Sequence, residues 1–203
     1  MGYHCSKCGR DIEKKVYNYS KKEFGEILCR DCQKNPKLVK KVGLDEKESR
    51  FTEGMIKGRI AETLVEELFL SLDYNVFRYG MENTVPGIMK LLKGVRGDVA
   101  TNIRRMPDFV VQKDKEVFFV EVKFRTSETF AKKDLPKNYP FLNAYFIVVS
   151  KKHIKCITYQ ELMDGKEITP NSQNYLGKRK EFDLDKKTII DFCNLAVKFF
   201  DKV

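Results

Sequence analysis

Three residues near the middle of the chain, Asp108, Glu121 and Lys123, have the types and spacing that metal-assisted hydrolysis needs. They lie in two apolar runs, 106–111 and 117–124, whose β-branched and aromatic residues predict two strands. The polar stretch between them, 112–116, predicts a turn. A hairpin turning about Asp114-Lys115 sets Asp108 directly opposite Glu121, on one face. Lys123, two residues past Glu121, falls on that face too. Two carboxylates placed opposite each other repel. A divalent cation between them removes the repulsion, and oxygen ligands suit Mg²⁺ or Mn²⁺. The lysine is then placed to orient water at the ion or to stabilise charge in the transition state. The alternative is an ordinary hairpin carrying an Asp-Lys-Glu ion-pair cluster.

A second group is made of sulfur. Cys5-Ser6-Lys7-Cys8 and Cys29-Arg30-Asp31-Cys32 are two CxxC pairs, each presenting two thiolates to one tetrahedral ion. Together they predict a structural Zn²⁺ bound by Cys5, Cys8, Cys29 and Cys32. Gly9 suits the tight turn after the first pair. Short strands are expected at Val16-Tyr17-Asn18-Tyr19 and Glu26-Ile27-Leu28, and a helix over 33–43. So small a unit builds little core, so its folding energy would come from the metal. Cys156 and Cys193 have no paired partner and read as buried apolar residues. His153, beside Lys151-Lys152, reads as a surface residue.

The elements around these groups follow from periodicity. Apolar residues at 60, 61, 64, 65, 68, 69 and 72 make a helical stripe. Glu62 lies at the edge of that stripe, with Glu66 and Glu67 expected toward solvent. Strands are expected at 74–77, 144–149 and 154–158, and an amphipathic helix over 185–202. Residues 79–105 are broken by Pro86, Gly87, Gly94 and Gly97; Asp98, among them, is a rival ligand that lacks strand context. A boundary is expected within 40–53.

Composition bounds the partners. The 203 residues carry a net charge of +10, with 33% charged and 42% hydrophobic residues. Residues 1–50 hold 13 Lys and Arg against 8 Asp and Glu, the densest excess in the chain. A basic chain favours a polyanionic partner through counterion release. No apolar run reaches membrane-spanning length, and no secretory signal is present, so a cytoplasmic (intracellular) location and no membrane partner are expected. No phosphate-binding GxxxxGK[ST] loop supports ATP-driven chemistry.

Pro107-Asp108 followed by Glu121-Val122-Lys123 resembles the PD-(D/E)xK nuclease superfamily, and residues 1–35 resemble a zinc ribbon or treble-clef finger. The nuclease resemblance spans about residues 55–160. It implies a restriction-endonuclease-like α/β/α core with a central three- or four-stranded mixed sheet. The finger and its linker would then occupy 1–42, and the nuclease-like domain 50–203. It implies catalytic roles for Glu62, Asp108, Glu121 and Lys123. Asp108, Glu121 and the Val122 carbonyl would hold Mg²⁺ or Mn²⁺, with Glu62 binding directly or through water. Arg125 extends the same face beyond Lys123, to hold a phosphate or to stand in solvent, and Lys132 and Lys133 would face nucleic acid. The implied partner is DNA, with RNA as the alternative polymer and a homodimer as one allowed assembly. Repair, recombination and restriction enzymes all fit; the helix carrying Glu62 and the short core are somewhat similar to archaeal Holliday junction resolvases. The competing reading is a non-catalytic zinc-finger nucleic-acid-binding protein on the same fold.

Overall fold

A computed structural model describes residues 2–34, 45–81, 85 and 87–201. The chain divides into two compact units, Met1–Arg50 and Phe51–Val203. The helix expected over 33–43 lies outside the described residues beyond Lys34, as does part of the boundary expected within 40–53.

In the first unit, β1 (Tyr3–His4) and β2 (Asp11–Ile12) form a small antiparallel hairpin. Helix α1 (Lys14–Phe24) follows, then α2 (Arg30–Gln33). The strand expected at 16–19 is therefore helical, and 26–28 form no strand. Tertiary contacts override the β-propensity of a four-residue run. Tyr17 lays its ring 4.3 Å from that of Tyr3. One turn on, the buried Ser20 hydroxyl donates to the Glu26 carbonyl and accepts from Leu28 N–H, both at 2.7 Å. These bonds need the helical spacing. Lys21 and Lys22 complement the dipole in the last turn, and Gly25 ends the helix at φ 69°.

The second unit is built on a five-stranded mixed sheet of order β3-β4-β5-β6-β7, one or two strands wider than expected. Its strands are β3 (Asn75–Arg78), β4 (Phe109–Lys113), β5 (Glu116–Phe124), β6 (Ala144–Val149) and β7 (Ile154–Thr158). All neighbours are antiparallel except the central β5–β6 pair. The long helix α3 (Glu46–Leu70) precedes the sheet, and α4 (Ile88–Leu91) and α5 (Asp98–Ile103) fall between β3 and β4. The short α6 (Tyr159–Met163) and the C-terminal α7 (Lys186–Phe200) complete the unit. Asp185 caps α7 by accepting from Thr188 N–H at 2.7 Å.

Alternation along β5 sorts its side chains onto two cores. Phe118, Val120, Val122 and Phe124 join a core with Ala61, Leu64, Val65, Leu68 and Phe69 of α3 and Ile189, Ala196 and Phe200 of α7. Both long helices thus cover the same face, and each fully buried Leu or Phe contributes about 2 kcal/mol. Phe119 faces the other way, into a core of Phe130, Tyr139, Ala144, Phe146, Val148, Ile157, Leu162 and Ile168. That face is roofed by the irregular crossover between β5 and β6 and by α6, not by a second long helix. No helix among the described residues is long and apolar enough to cross a membrane.

Candidate functional site

The β4–β5 ladder runs from Lys113↔Glu116 to Phe109↔Val120 around a two-residue turn, with Asp114 at φ 53°. The same register continued by one residue sets Asp108 against Glu121. The ladder stops there because Pro107 and Asp108 leave the strand. Asp108 keeps its backbone tied to the neighbouring strand end: its carbonyl accepts from Tyr79 N–H at 2.9 Å. Its carboxylate turns inward, 7% exposed, and Oδ2 accepts from Val122 N–H at 2.7 Å. A residue in an extended strand turns N–H and C=O to the same edge. The Val122 carbonyl therefore shares the splayed edge that Asp108 occupies.

Glu121 and Lys123 leave β5 on the roofed face, two residues apart, and Lys123 Nζ bonds Glu121 Oε1. Burial pulls the Lys123 ammonium down, but Glu121 and Asp108 outweigh it and hold its pKa above the ordinary lysine value. Lys123 is thus a cation held beside Glu121, suited to stabilising anions. Arg125 stands close enough to repel Lys123. Lys132 and Lys133 sit exposed on a 3₁₀ turn of the roof.

Glu62 is half-buried on α3. It connects to the hairpin electrostatically through Arg78, at the end of β3. Arg78 bonds Glu66 at 3.0 Å through Nε, and Glu62 and Asp108 also help hold its pKa above the ordinary value. Glu66, expected toward solvent, is a half-buried partner of Arg78, because the end of β3 passes alongside α3. Glu67 is exposed as expected. Asp98 is exposed in the first turn of α5, where it complements the helix dipole.

Sequence reading missed Tyr139. Its ring rests on Phe146, centroids 5.4 Å apart, and Phe146 is the strand neighbour of Glu121. The residue is 5% exposed, and its hydroxyl has no hydrogen-bond partner among the described residues. Burial first, then the charges of Glu121 and Asp108, push its pKa well above the usual tyrosine value. It is therefore protonated, and close enough to the acid pair to feel both charges. Asn138 turns the chain inward at φ 57°, a conformation Asn tolerates, and Arg105 grips the Asn138 carbonyl at 2.6 Å. The only local signal was an aromatic residue between Asn138 and Pro140, too common to interpret.

A second buried cluster was missed as well. Glu128 accepts from Ser150 Oγ at 2.9 Å and pairs with His153 Nδ1 at 3.0 Å and Lys155 Nζ at 3.5 Å. Lys155, 1% exposed, also donates to the carbonyls of Thr169 and Pro170. His153 is thus a half-buried partner of Glu128, not a plain surface residue. Burial raises the Glu128 pKa, but His153, Ser150 and Lys155 outweigh it and leave it below the ordinary value. A depressed acid stabilises the fold above its unfolded pKa, about 4.3, and loses that contribution as pH falls through its folded value. Glu128→Gln should therefore lower stability near neutral pH by on the order of 3 kcal/mol. The difference from the parent should narrow as pH falls below the unfolded value of about 4.3. Thermal melts across pH check this; a gap that does not narrow at any acid pH where the parent still folds contradicts the charge role.

In the first unit, the four cysteine sulfurs all lie within 4.8 Å of one another, forming a site fit to hold a metal such as zinc. All four are free thiols, and Cys8 Sγ stands 3.7 Å from Cys29 Sγ. The first pair sits on the β1–β2 turn, where Gly9, at φ 71°, donates its N–H to the Cys5 carbonyl at 2.9 Å. The second pair opens α2, with Cys29 as its N-cap. Burial works against the Cys5 thiolate, but N–H groups of Cys29, Cys8 and Lys7 bring its pKa down to about 6. The Cys32 backbone N–H lowers the Cys29 pKa, while the Cys29 side chain and then burial push Cys32 up to about 12. Such crowded thiols do not all ionise without a cation among them. Elsewhere, Cys156 is buried, its pKa raised by burial to about 12, and Cys193 is half-buried. Among the described residues, Glu62 does not close with Asp108 and Glu121 to the tightness of the cysteines.

No family model and no curated protein matches the sequence. Among solved structures, a bacterial homing endonuclease aligns with 71% of this chain and 97% of its own at 13% identity and a TM-score of 0.37. At that score the likeness establishes neither fold nor activity.

Proposed function

We propose that this protein is a metal-dependent endonuclease that hydrolyses phosphodiester bonds in DNA, with a restriction-endonuclease-like core and a zinc-bearing finger. One observation supports the reading: the hairpin register, continued by one residue, sets Asp108 against Glu121, whose carboxylate bonds Lys123, and the buried Tyr139 lies near enough to feel both acid charges. The donor set is oxygen, from two carboxylates and the Val122 carbonyl, which suits Mg²⁺ or Mn²⁺. When bound, such an ion supplies Lewis-acid polarisation of the phosphate and a more acidic water.

The chain's own residues do the rest. Val122 N–H fixes the Asp108 carboxylate, so its direction is set before substrate arrives. Lys123 keeps its charge beside Glu121 and offers it to the attacking water or to a phosphate oxygen. Tyr139, its ring held by packing on Phe146, adds a protonated hydroxyl near the same acids. Glu62 acts from α3 through water, at the longer reach that its separation from the pair requires. Arg125, Lys132 and Lys133 supply phosphate contacts around the rim.

The second reading, a non-catalytic nucleic-acid binder, is favoured by Lys123 and Arg78, which already offset the acid charges without an ion. A cleavage panel separates the two. Linear duplex, single-stranded, flapped and four-way DNA are incubated with zinc-loaded protein, with and without added Mg²⁺ or Mn²⁺. Omitting the ion is preferable to chelation, which would also strip the cysteine site. Cleavage that appears only with the added ion supports the enzyme; binding without cleavage on every substrate in both ions supports the binder.

A further inference from the structure

The first unit carries a concavity that the hydrolytic site does not use. It encloses about 440 Å³ between the α1 residues Lys15, Val16, Tyr19 and Phe24 and the α2-side residues Arg30, Gln33 and Lys34. That volume falls within the roughly 300–1,000 Å³ of small-ligand clefts. Two features set it apart from an ordinary solvated face. Tyr19 and Phe24 are 56% and 36% exposed, yet they stand together, ring centroids 6.3 Å apart and edge to face. Three cations and no acid line the same concavity, and none of the three has an ion-pair partner among the described residues. The walls are fixed from below: Ser20 ties the 26–28 turn to α1, and Gln33 Nε2 donates to the Leu28 carbonyl at 2.8 Å.

We propose that this groove binds an unpaired nucleotide of single-stranded nucleic acid, its base stacked on the more exposed Tyr19 ring with Phe24 against its edge, and its phosphates held by Lys15, Arg30 and Lys34. The inference rests on the nucleic-acid reading above and adds a binding site with a strand preference. Charge complementarity selects a polyanion, and exposed rings select one whose base faces are open. A duplex buries those faces in its own stack, so single strands, flaps and unpaired junction arms are the matching forms.

The test is fluorescence anisotropy with the full-length, zinc-loaded protein. The probes are a labelled oligothymidine and a duplex of equal length, in buffer without Mg²⁺ or Mn²⁺, across a salt series. Tyr19→Ala with Phe24→Ala should weaken single-strand binding about tenfold or more while leaving the salt slope unchanged, because stacking releases no counterions. Lys15→Ala should flatten the slope by about 0.7 with the rings intact. Tyr19→Trp should bind single strands at least as well as the parent, since any aromatic face stacks; this also separates lost stacking from a misfolded finger. Parental single-strand affinity in the double variant, with duplex binding present, overturns this proposal alone. Failure of the parent to bind any nucleic acid overturns both this and the nucleic-acid reading.

Discussion

Asp108→Asn should abolish cleavage, by about a thousandfold or more, while the protein stays folded and binds DNA at least as tightly as the parent. A thousandfold loss is about 4 kcal/mol of transition-state stabilisation, within what one ligand to a catalytic ion supplies. The choice of Asn follows from the Val122 N–H, which donates to Asp108 Oδ2. Asn keeps an acceptor there and removes only the charge. Asp108→Ala should lose cleavage too, but it orphans a buried N–H and should also cost about 1–3 kcal/mol of stability. Glu121→Gln should match Asp108→Asn in activity. Lys123→Ala should lose cleavage yet bind Mg²⁺ no more weakly, because a competing cation has left Glu121. Tyr139→Phe should cut about tenfold more slowly and melt no lower without the ion, since it removes a buried hydroxyl that lacks a partner. Glu62→Gln should show a milder loss. Rates on a labelled duplex, Mg²⁺ titration calorimetry and thermal melts read these outcomes. Parental cutting by Asp108→Asn would sink the nuclease proposal outright.

The hairpin behind this prediction was legible because strand alternation is a strict period of two. Once Asp114-Lys115 is taken as the turn, every pairing from Lys113↔Glu116 upward is determined, and the observed ladder has that register. The strands at 144–149 and 154–158 and the C-terminal helix were legible for a similar reason: dense apolar patterns between clear breaks. What failed depended on contacts far apart in sequence. Val16–Tyr19 has strand composition, but the pairing of Tyr17 with Tyr3 and of Ser20 with the 26–28 turn makes it helical. Nothing within α3 shows that Glu66 will meet Arg78 twelve residues later. Tyr139 and the Glu128 cluster belong to a crossover without periodicity, whose residues acquire meaning only once β6 and β7 lie beneath them. Both helices on one face was a matter of topology that amphipathic patterns do not encode.

Cys29→Ser, or serine at Cys5, Cys8 or Cys32, should release the metal and unfold the first unit while the second keeps its own melting transition. The reason is how little else holds the first unit. Its described core is Cys5, Leu28 and Cys29, with Ile12 and Cys32 against them, so three of these five residues are the clustered cysteines themselves. One buried leucine contributes about 2 kcal/mol, far below the ordering cost of some thirty residues at roughly 1–2 kcal/mol each. A bound Zn²⁺ contributes about 10–16 kcal/mol in comparable small sites, enough to decide whether such a unit folds. The main core of the second unit, which joins α3, α7 and one face of the sheet, includes none of the four clustered cysteines. Elemental analysis should therefore find one zinc per parent chain and none in the variants. Limited proteolysis should cut the variants within residues 1–34 and spare Phe51–Val203. DNA affinity should fall through loss of the basic finger, and the salt slope should flatten with it. Stoichiometric zinc retained in Cys29→Ser would contradict the four-cysteine site, and parental zinc-free protein with an intact, protease-resistant first unit would show that its fold needs no ion.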